Sequence, residues 1–379
     1  MIIGIDASNL LVGGGVTYLI ELLRKTDPGQ HGFNQIVVWG NKSTCAQLPS
    51  FPWIKVVSEP MLEKSLPYRI YWQQFRLSKL AVQQNCNVLL FPGGRYYGKF
   101  RPYVAMFQSM LPFHFREMCR YYFTPRFFKL LFLRYIQLNT FRRANGIILL
   151  NDDKSIPRFQ YLKSLNIPIA IIPHAASEVF LREPRPQRTI ESYSEKHPFR
   201  ILYVSVVEAY KHQWQVVKAV NQLRQQGLPV ALDLVGAGYK PALRKLMKVI
   251  RQYDPDGKFI NYYGKASFDR LLHYYATDNL FVFASTCECL PIILLEAMAS
   301  GLPIACSNRS VMPGLLKDAA VYFDPENTQD IVHAIQCLIE SADLRTEISQ
   351  KSFDRAKAYS WGLCAKETFS FLTNVASEA

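Results

Sequence analysis

Short apolar runs alternate with stretches of helical period along this chain, and the alternation starts twice. Residues 2–7 read as a first strand. Further strands follow at 35–39, 54–57, 87–91, 103–107, 146–151 and 167–173, with helix-period segments such as 66–83 between them. The series begins again at 201–207 and continues through strands at 231–235, 259–263, 280–284, 303–306 and 320–323. Such alternation specifies a parallel sheet with helices on both faces, so the fold class is α/β. Two series within 379 residues specify two doubly wound, Rossmann-like domains, because one core rarely serves so long a chain. The polar, proline-bearing stretch LREPRPQRTIESYSEKHP (181–198) reads as the connection between them. The expected division is a first domain at 1–185, a linker at 186–198, a second domain at 199–358, and a C-terminal helix at 359–379 packing back toward the first. Two such domains are expected to face a central cleft, with ligands at the carboxyl ends of the strands.

That expectation concentrates the chemistry in a few loops. Gly13, Gly14 and Gly15 follow the first strand and precede a helix-period run, Val16, Leu19, Ile20 and Leu23. A glycine loop opening a helix lets backbone approach a phosphate or sugar, and a plain tight turn has the same composition. Gly236, Ala237 and Gly238 close a strand of the second series in the same manner. The most constrained loop is STCECLPIILLEAMASGLP (285–303), in which Glu288 and Glu296 stand eight positions apart. Glu296 is the only ionisable group from Leu290 to Ile304, among Ile292, Ile293, Leu294, Leu295, Ala297, Met298 and Ala299. An unpaired carboxylate in dry apolar surroundings costs several kcal/mol, so either a polar ligand or a distant Arg or Lys must meet it.

The net charge of +14 is uneven. Residues 1–185 hold 23 basic and 10 acidic side chains, residues 186–379 hold 21 and 20, and residues 60–144 alone hold 14 and 2. That basic region is interleaved with aromatics such as Tyr68, Trp72, Phe75, Phe128, Phe132 and Tyr135, so it should face something anionic. Single-stranded nucleic acid, a membrane surface and a solvated helix face all fit the composition. On residues 125–144 the charges do not gather on one helical face, which weakens a strict amphipathic anchor. No apolar run reaches the roughly 18 residues of a spanning helix, and MIIGIDASNL reads as a strand and not as a signal peptide. Eight scattered cysteines without paired CxxC units read as reduced thiols of a cytoplasmic protein, with no zinc site.

Five segments together resemble the family 4 glycosyltransferases, the retaining group of the GT-B fold. They are LYVSVVEAYKH (202–212), LVGAG (234–238), ECLPIILLEAMASGLPIACS (288–307), KDAAVYFDPEN (317–327) and YSW (359–361). The first half is similar more loosely, through the glycine loop, WQQ (72–74), the turn at 110–112 and IIPHA (171–175). The resemblance implies transfer of a sugar from a nucleoside-diphosphate sugar to an acceptor hydroxyl with retained anomeric configuration. It implies no cofactor, no metal ion and no dedicated nucleophile; the leaving phosphate takes the acceptor proton on the same face. Glu296 is expected to bind the ribose hydroxyls, and Glu288 to approach the donor sugar near its reacting carbon. Lys211 is expected to neutralise the departing diphosphate, with His212 as a second phosphate contact. Backbone at Leu290, Ile292, Gly236, Gly14 and Gly15 is expected to meet the donor. Gln108 stands where the family often has a histidine and would orient the sugar without proton transfer. Trp72 and His114 fall on the acceptor side.

The chain departs from the family pattern at three places. Val206 stands where many members have an arginine, Ser205 where a glycine is usual, and Cys289 with Leu290 and Pro291 where glycines follow the first glutamate. The expected partners are a nucleotide-sugar donor and a saccharide or lipid-linked saccharide acceptor, in cell-surface polysaccharide or lipopolysaccharide assembly. Peripheral contact with an anionic membrane at its cytoplasmic face extends the same expectation, and no nucleic acid is expected. Two alternatives stand beside it: a nucleotide-sugar epimerase of the same fold, and a nucleic-acid-binding protein using the basic half.

Overall fold

A computed structural model describes every residue of the chain except 12, 153–161, 163 and 379. The chain divides into two units. One comprises Met1–Met118, Phe123–His174 and Tyr359–Ala379; the other comprises Cys119–Tyr122 and Ala175–Ala358.

The first unit is built on seven parallel strands: β1 (Ile2–Asp6), β2 (Gln35–Gly40), β3 (Ile54–Ser58), β4 (Val88–Phe91), β5 (Tyr103–Phe107), β6 (Gly146–Leu149) and β7 (Ile169–Ile171). Their order is β3-β2-β1-β4-β5-β6-β7. Strands β4, β5 and β6 are buried throughout, and their sequences VLLF, YVAMF and GIIL have no polar alternation, as a sheet covered on both faces requires. The direction of winding reverses between β1 and β4. Right-handed crossovers therefore put helix Gly14–Arg24 on one face of the sheet, and segment 66–83 with helix Pro125–Arg142 on the other. The C-terminal helix Trp361–Ser377 belongs to this unit. Its Trp361 ring lies 5.9 Å from that of Tyr18, and Thr373 Oγ1 donates to the His31 carbonyl at 2.9 Å.

The second unit has six parallel strands: β8 (Phe199–Val204), β9 (Val230–Val235), β10 (Ile260–Gly264), β11 (Leu280–Phe283), β12 (Ile304–Ser307) and β13 (Val321–Phe323), ordered β10-β9-β8-β11-β12-β13. All thirteen strands lie where the apolar runs place them, with ends moved by a few residues; β8 stops at Val204, not 207.

The stretch expected to be a linker packs on the second unit, which begins at Ala175. Arg182 N–H donates to the Ala299 carbonyl at 2.9 Å, and the backbone of Pro184 lies against Gly301. Fully buried Arg345 donates to Gln187 Oε1 at 3.2 Å and to the Arg188 carbonyl. The polarity that suggests a solvated spacer instead supplies acceptors to a buried guanidinium.

Candidate functional site

In the second sheet the strand order reverses between neighbours β8 and β11, paired at Ile201↔Leu280 and Leu202↔Phe281. The loops leaving their carboxyl ends, 205–212 and 284–291, therefore emerge side by side at the place where such sheets bind ligands. Three ties join the two loops. Tyr203 O–H, fully buried, donates to the Lys211 carbonyl at 2.5 Å and accepts from Ala284 N–H at 3.2 Å. Thr286 N–H donates to the Tyr210 carbonyl at 2.9 Å. His212 Nε2 lies 3.3 Å from Thr286 Oγ1.

At the centre, the Lys211 ammonium pairs with Glu288 Oε1. Ser285 Oγ donates to the same oxygen at 2.5 Å. The Glu288 backbone is fixed from the other side: its N–H donates to Ser310 Oγ at 3.1 Å, and that hydroxyl donates to the Glu288 carbonyl at 2.9 Å. Lys211 is 4% exposed, and its Nζ lies 4.8 Å from the Phe283 ring centroid and 5.4 Å from that of Tyr210. A buried cation with one carboxylate partner is a poised charge, because an anionic ligand can share it.

Gly236 follows β9 with φ +142°, and a Cβ there would stand 2.0 Å from the Ser205 carbonyl oxygen. Its own carbonyl accepts from Tyr262 O–H at 2.9 Å. Only glycine permits the two backbones to approach so closely beside the Lys211 loop.

Glu296 projects from helix Ile292–Ala299, which follows the Glu288 loop. Among the described residues its carboxylate has one hydrogen-bond partner, Tyr275 O–H at 3.1 Å, and no lysine or arginine pairs with it. Burial pushes its pKa up to about 7, against the smaller lowering effect of the Tyr275 hydrogen bond. A carboxyl whose folded pKa is raised favours the protonated form. Its contribution to stability is full below the unfolded value of about 4.5 and is lost as pH rises through about 7. Glu296→Gln should therefore stabilise the ligand-free protein at pH 8 by on the order of 1–3 kcal/mol, seen as a raised thermal midpoint, and change it little at pH 4. Thermal unfolding at the two pH values checks this.

Residues 119–122 enter this unit from the first half of the sequence. Arg120 Nη2 pairs with Glu326 Oε1 at 2.7 Å, and Tyr121 O–H donates to Glu208 Oε2 at 2.9 Å within the Lys211 loop.

In the first unit the reversal lies between β1 and β4. Gln108 follows β5, with Nε2 2.8 Å from Met106 Sδ and Oε1 beside Gly15, where an added Cβ would stand 3.7 Å away. Gly13 precedes the helix at φ +75°, and Gly14 is its first residue. Trp72 is fully buried and packs the interior, so it offers no surface to an acceptor. Its neighbour Gln73 reaches the strand ends instead: Nε2 donates to Asp6 Oδ2, to Ser8 Oγ at 3.1 Å and to the Arg95 carbonyl at 3.3 Å. Burial raises the Asp6 pKa to about 6, against hydrogen bonds from Ser8 and Gln73. His114 Nδ1 accepts the Glu117 N–H at 3.4 Å at the start of helix Phe115–Cys119.

Known proteins resemble this chain in sequence over its second half and in fold over its whole length. Residues 187–355 match the sequence model of the family described as glycosyl transferases group 1. The match supports a glycosyltransferase. A curated relative, O-antigen chain mannosyltransferase B of Escherichia coli, is 26% identical over 170 residues, 45% of this chain and 44% of the relative. The aligned segment thus spans under half of that relative's length. Among solved structures, sucrose-phosphate synthase from Thermosynechococcus elongatus superposes with TM-score 0.77 over 100% of both chains at 14% identity. Anabaena HepE in complex with UDP does so with TM-score 0.68 over 98% and 99% at 14% identity. With the two parallel sheets of seven and six strands, these likenesses give the fold as GT-B.

The glycosyltransferase match covers Lys211, His212, Gly236, Glu288, Leu290, Ile292 and Glu296, all within the second unit. Gln108, Gly14, Gly15, Trp72 and His114 lie outside it, in the first unit. His212, only 2% exposed and with positive φ, ties the two loops together and presents little surface to a phosphate. Leu290 is buried while Ile292, at the first turn of its helix, is half-buried; a helix's first N–H groups have no intrahelical acceptor. The sequence reading missed Ser285, Tyr203, Ser310, Tyr275 and Tyr121. Ser285 was within reach, three positions before Glu288. Nothing local marks the others, whose partners lie 8 to 87 positions away.

Proposed function

We propose that the chain is a retaining, family 4 glycosyltransferase that moves a hexosyl group from a nucleoside-diphosphate sugar to an acceptor hydroxyl without a metal ion. The observation that carries this reading is the buried Lys211–Glu288 pair at the reversal of the second sheet, with the carboxylate of Glu296 on the adjoining helix, which no lysine or arginine among the described residues meets. The bond from the anomeric carbon to the phosphate oxygen breaks as the bond to the acceptor oxygen forms on the same face. The acceptor proton passes to the departing phosphate. Lys211 and the first N–H groups of helix Ile292–Ala299 offset the charge that develops there. Two ribose hydroxyls donate to ionised Glu296, which answers its lack of a basic partner. Gln108 orients the donor sugar. The relative named for O-antigen chains supports a saccharide or lipid-linked saccharide acceptor in polysaccharide or lipopolysaccharide assembly. The solved HepE complex with UDP supports a nucleoside-diphosphate donor.

Thermal unfolding with a panel of nucleoside diphosphates and nucleotide sugars tests the reading. A diphosphate should raise the midpoint, a single-stranded oligonucleotide should not, and turnover should survive a chelator. The protection should weaken below about pH 7, about tenfold in affinity per pH unit, and Glu296→Gln should abolish that pH dependence. Protection by oligonucleotide alone would move the function to the basic half.

A further inference from the structure

Two segments of the first unit turn aromatic side chains outward. On helix Pro125–Arg142 the inner side is filled by Phe127, Leu130, Gln137, Thr140 and Phe141. The opposite side carries Phe128, Leu131, Phe132 and Tyr135 at helical spacing, all exposed. Apolar residues on both sides leave no single polar face, which is why the helix's charges do not gather and the pattern conceals the stripe. Segment 66–83 repeats the arrangement, with Trp72, Leu77 and Ala81 inward and Tyr68, Tyr71, Phe75 and Val82 outward. The outward residues of both segments are each between 38% and 65% exposed.

The two stripes share one side of the first sheet. Both segments lie in crossovers that run the same way across it, so right-handedness puts them on the same face. The β4–β5 connection between them holds no helix among the described residues, and its Tyr96 touches both. The Tyr96 O–H lies 3.1 Å from Ser78 Oγ, and its N–H donates to Thr140 Oγ1 at 3.0 Å. Exposed Arg76, Lys79 and Lys129 stand on the two segments, with exposed Lys64 just before the first and exposed Lys99 in the β4–β5 connection; between residues 60 and 144 the only acids are Glu63 and buried Glu117.

An exposed apolar surface of this extent marks an interaction site. We propose that this face seats the protein on an anionic lipid surface. Aromatic rings suit the headgroup layer, and a stretch with 14 basic side chains against two acidic ones suits anionic lipids. Aliphatic Leu131 and Val82 sit within the stripes and offer no stacking platform, which favours lipid over single-stranded nucleic acid. The inference stands apart from the transferase reading, since vesicle binding is measured without turnover.

The test is co-sedimentation of the full chain with phosphatidylcholine vesicles, and with vesicles that also contain phosphatidylglycerol, at low and at physiological salt. Binding to the anionic vesicles at low salt, several-fold weaker at physiological salt and absent with phosphatidylcholine alone, is expected. The triple variant Phe128→Ser, Phe132→Ser, Tyr135→Ser should bind at least tenfold more weakly while nucleotide protection stays unchanged. The pair Lys79→Glu and Lys129→Glu should do the same; its charges lie on the surface, so it serves if the triple variant fails to fold. Four results would overturn the proposal: no binding to anionic vesicles at low salt; equal binding to both vesicles; undiminished binding by the variants; or a dimer in light scattering that the triple variant dissociates, which would make the face a contact between copies.

Discussion

Lys211→Ala lowers turnover at least tenfold, on the order of a hundredfold, and leaves the protein folded. The backbone of the lysine is held independently of its side chain, through the Tyr203 hydroxyl and the tie from Thr286 to Tyr210, so truncation does not release the loop. The carboxylate left behind is not stranded. Glu288 keeps the Ser285 hydroxyl, and its side chain is 14% exposed, so water can solvate it. The reciprocal change differs in kind. Glu288→Ala leaves the ammonium of buried Lys211 against the Phe283 and Tyr210 rings, with no carboxylate. Removing one partner of a buried pair costs about 3–5 kcal/mol, and the nearby rings offset only part of that. The two variants should therefore separate: turnover lost with the midpoint kept for Lys211→Ala, and both lost for Glu288→Ala. Steady-state kinetics with thermal unfolding resolves them. Near-normal turnover in Lys211→Ala would place the diphosphate elsewhere.

The fold was legible because its signal is local. A strand covered on both faces must be an uninterrupted apolar run, and VLLF, GIIL and LFVF announce themselves as such. The site was legible only where its residues share a loop. Glu288 and Glu296 lie in one motif, and Lys211 follows a strand end at a recognisable distance. What holds them does not share their sequence neighbourhood. Tyr275 reaches Glu296 from 21 positions upstream, Ser310 reaches Glu288 from 22 downstream, and Tyr121 reaches Glu208 from 87 upstream. Trp72 and Gln73 show the same limit at one position's resolution. The motif WQQ points to the first unit's loops, but the large residue packs inward and the amide carries the contact to Asp6. Adjacent side chains on a helical stretch point in different directions, so a motif match alone does not say which of the two faces the loop.

The first glycine of LVGAG yields the sharpest stability expectation. Gly236→Ala puts a methyl 2.0 Å from the Ser205 carbonyl oxygen and 2.6 Å from its carbon, on a backbone at φ +142°. No rotamer relieves the clash, because both contacts are backbone atoms, so one of two hydrogen-bonded strand ends has to move. The Ser205 N–H donates to the Val235 carbonyl at 2.9 Å and the Gly236 N–H to the Gly264 carbonyl at 2.7 Å, so either displacement breaks a bond at the carboxyl ends of the strands. Strain and lost bonding together cost on the order of 3 kcal/mol or more. At about 2–4 °C per kcal/mol for a unit of this size, the midpoint should fall by about 6–12 °C. Two other glycines calibrate the result. Gly227 has φ +86° with open space around its would-be Cβ, so Gly227→Ala incurs conformational strain alone, about 1 kcal/mol. Gly314 lies within helix Met312–Leu316, also with open space, and Gly314→Ala should be neutral or slightly stabilising. If Gly236→Ala matched Gly227→Ala, the close approach of the two backbones would carry no energetic weight. A larger fall accompanied by weaker nucleotide protection would tie the same contact to the donor side, because the loop that has to yield, Ser205 to His212, carries Lys211.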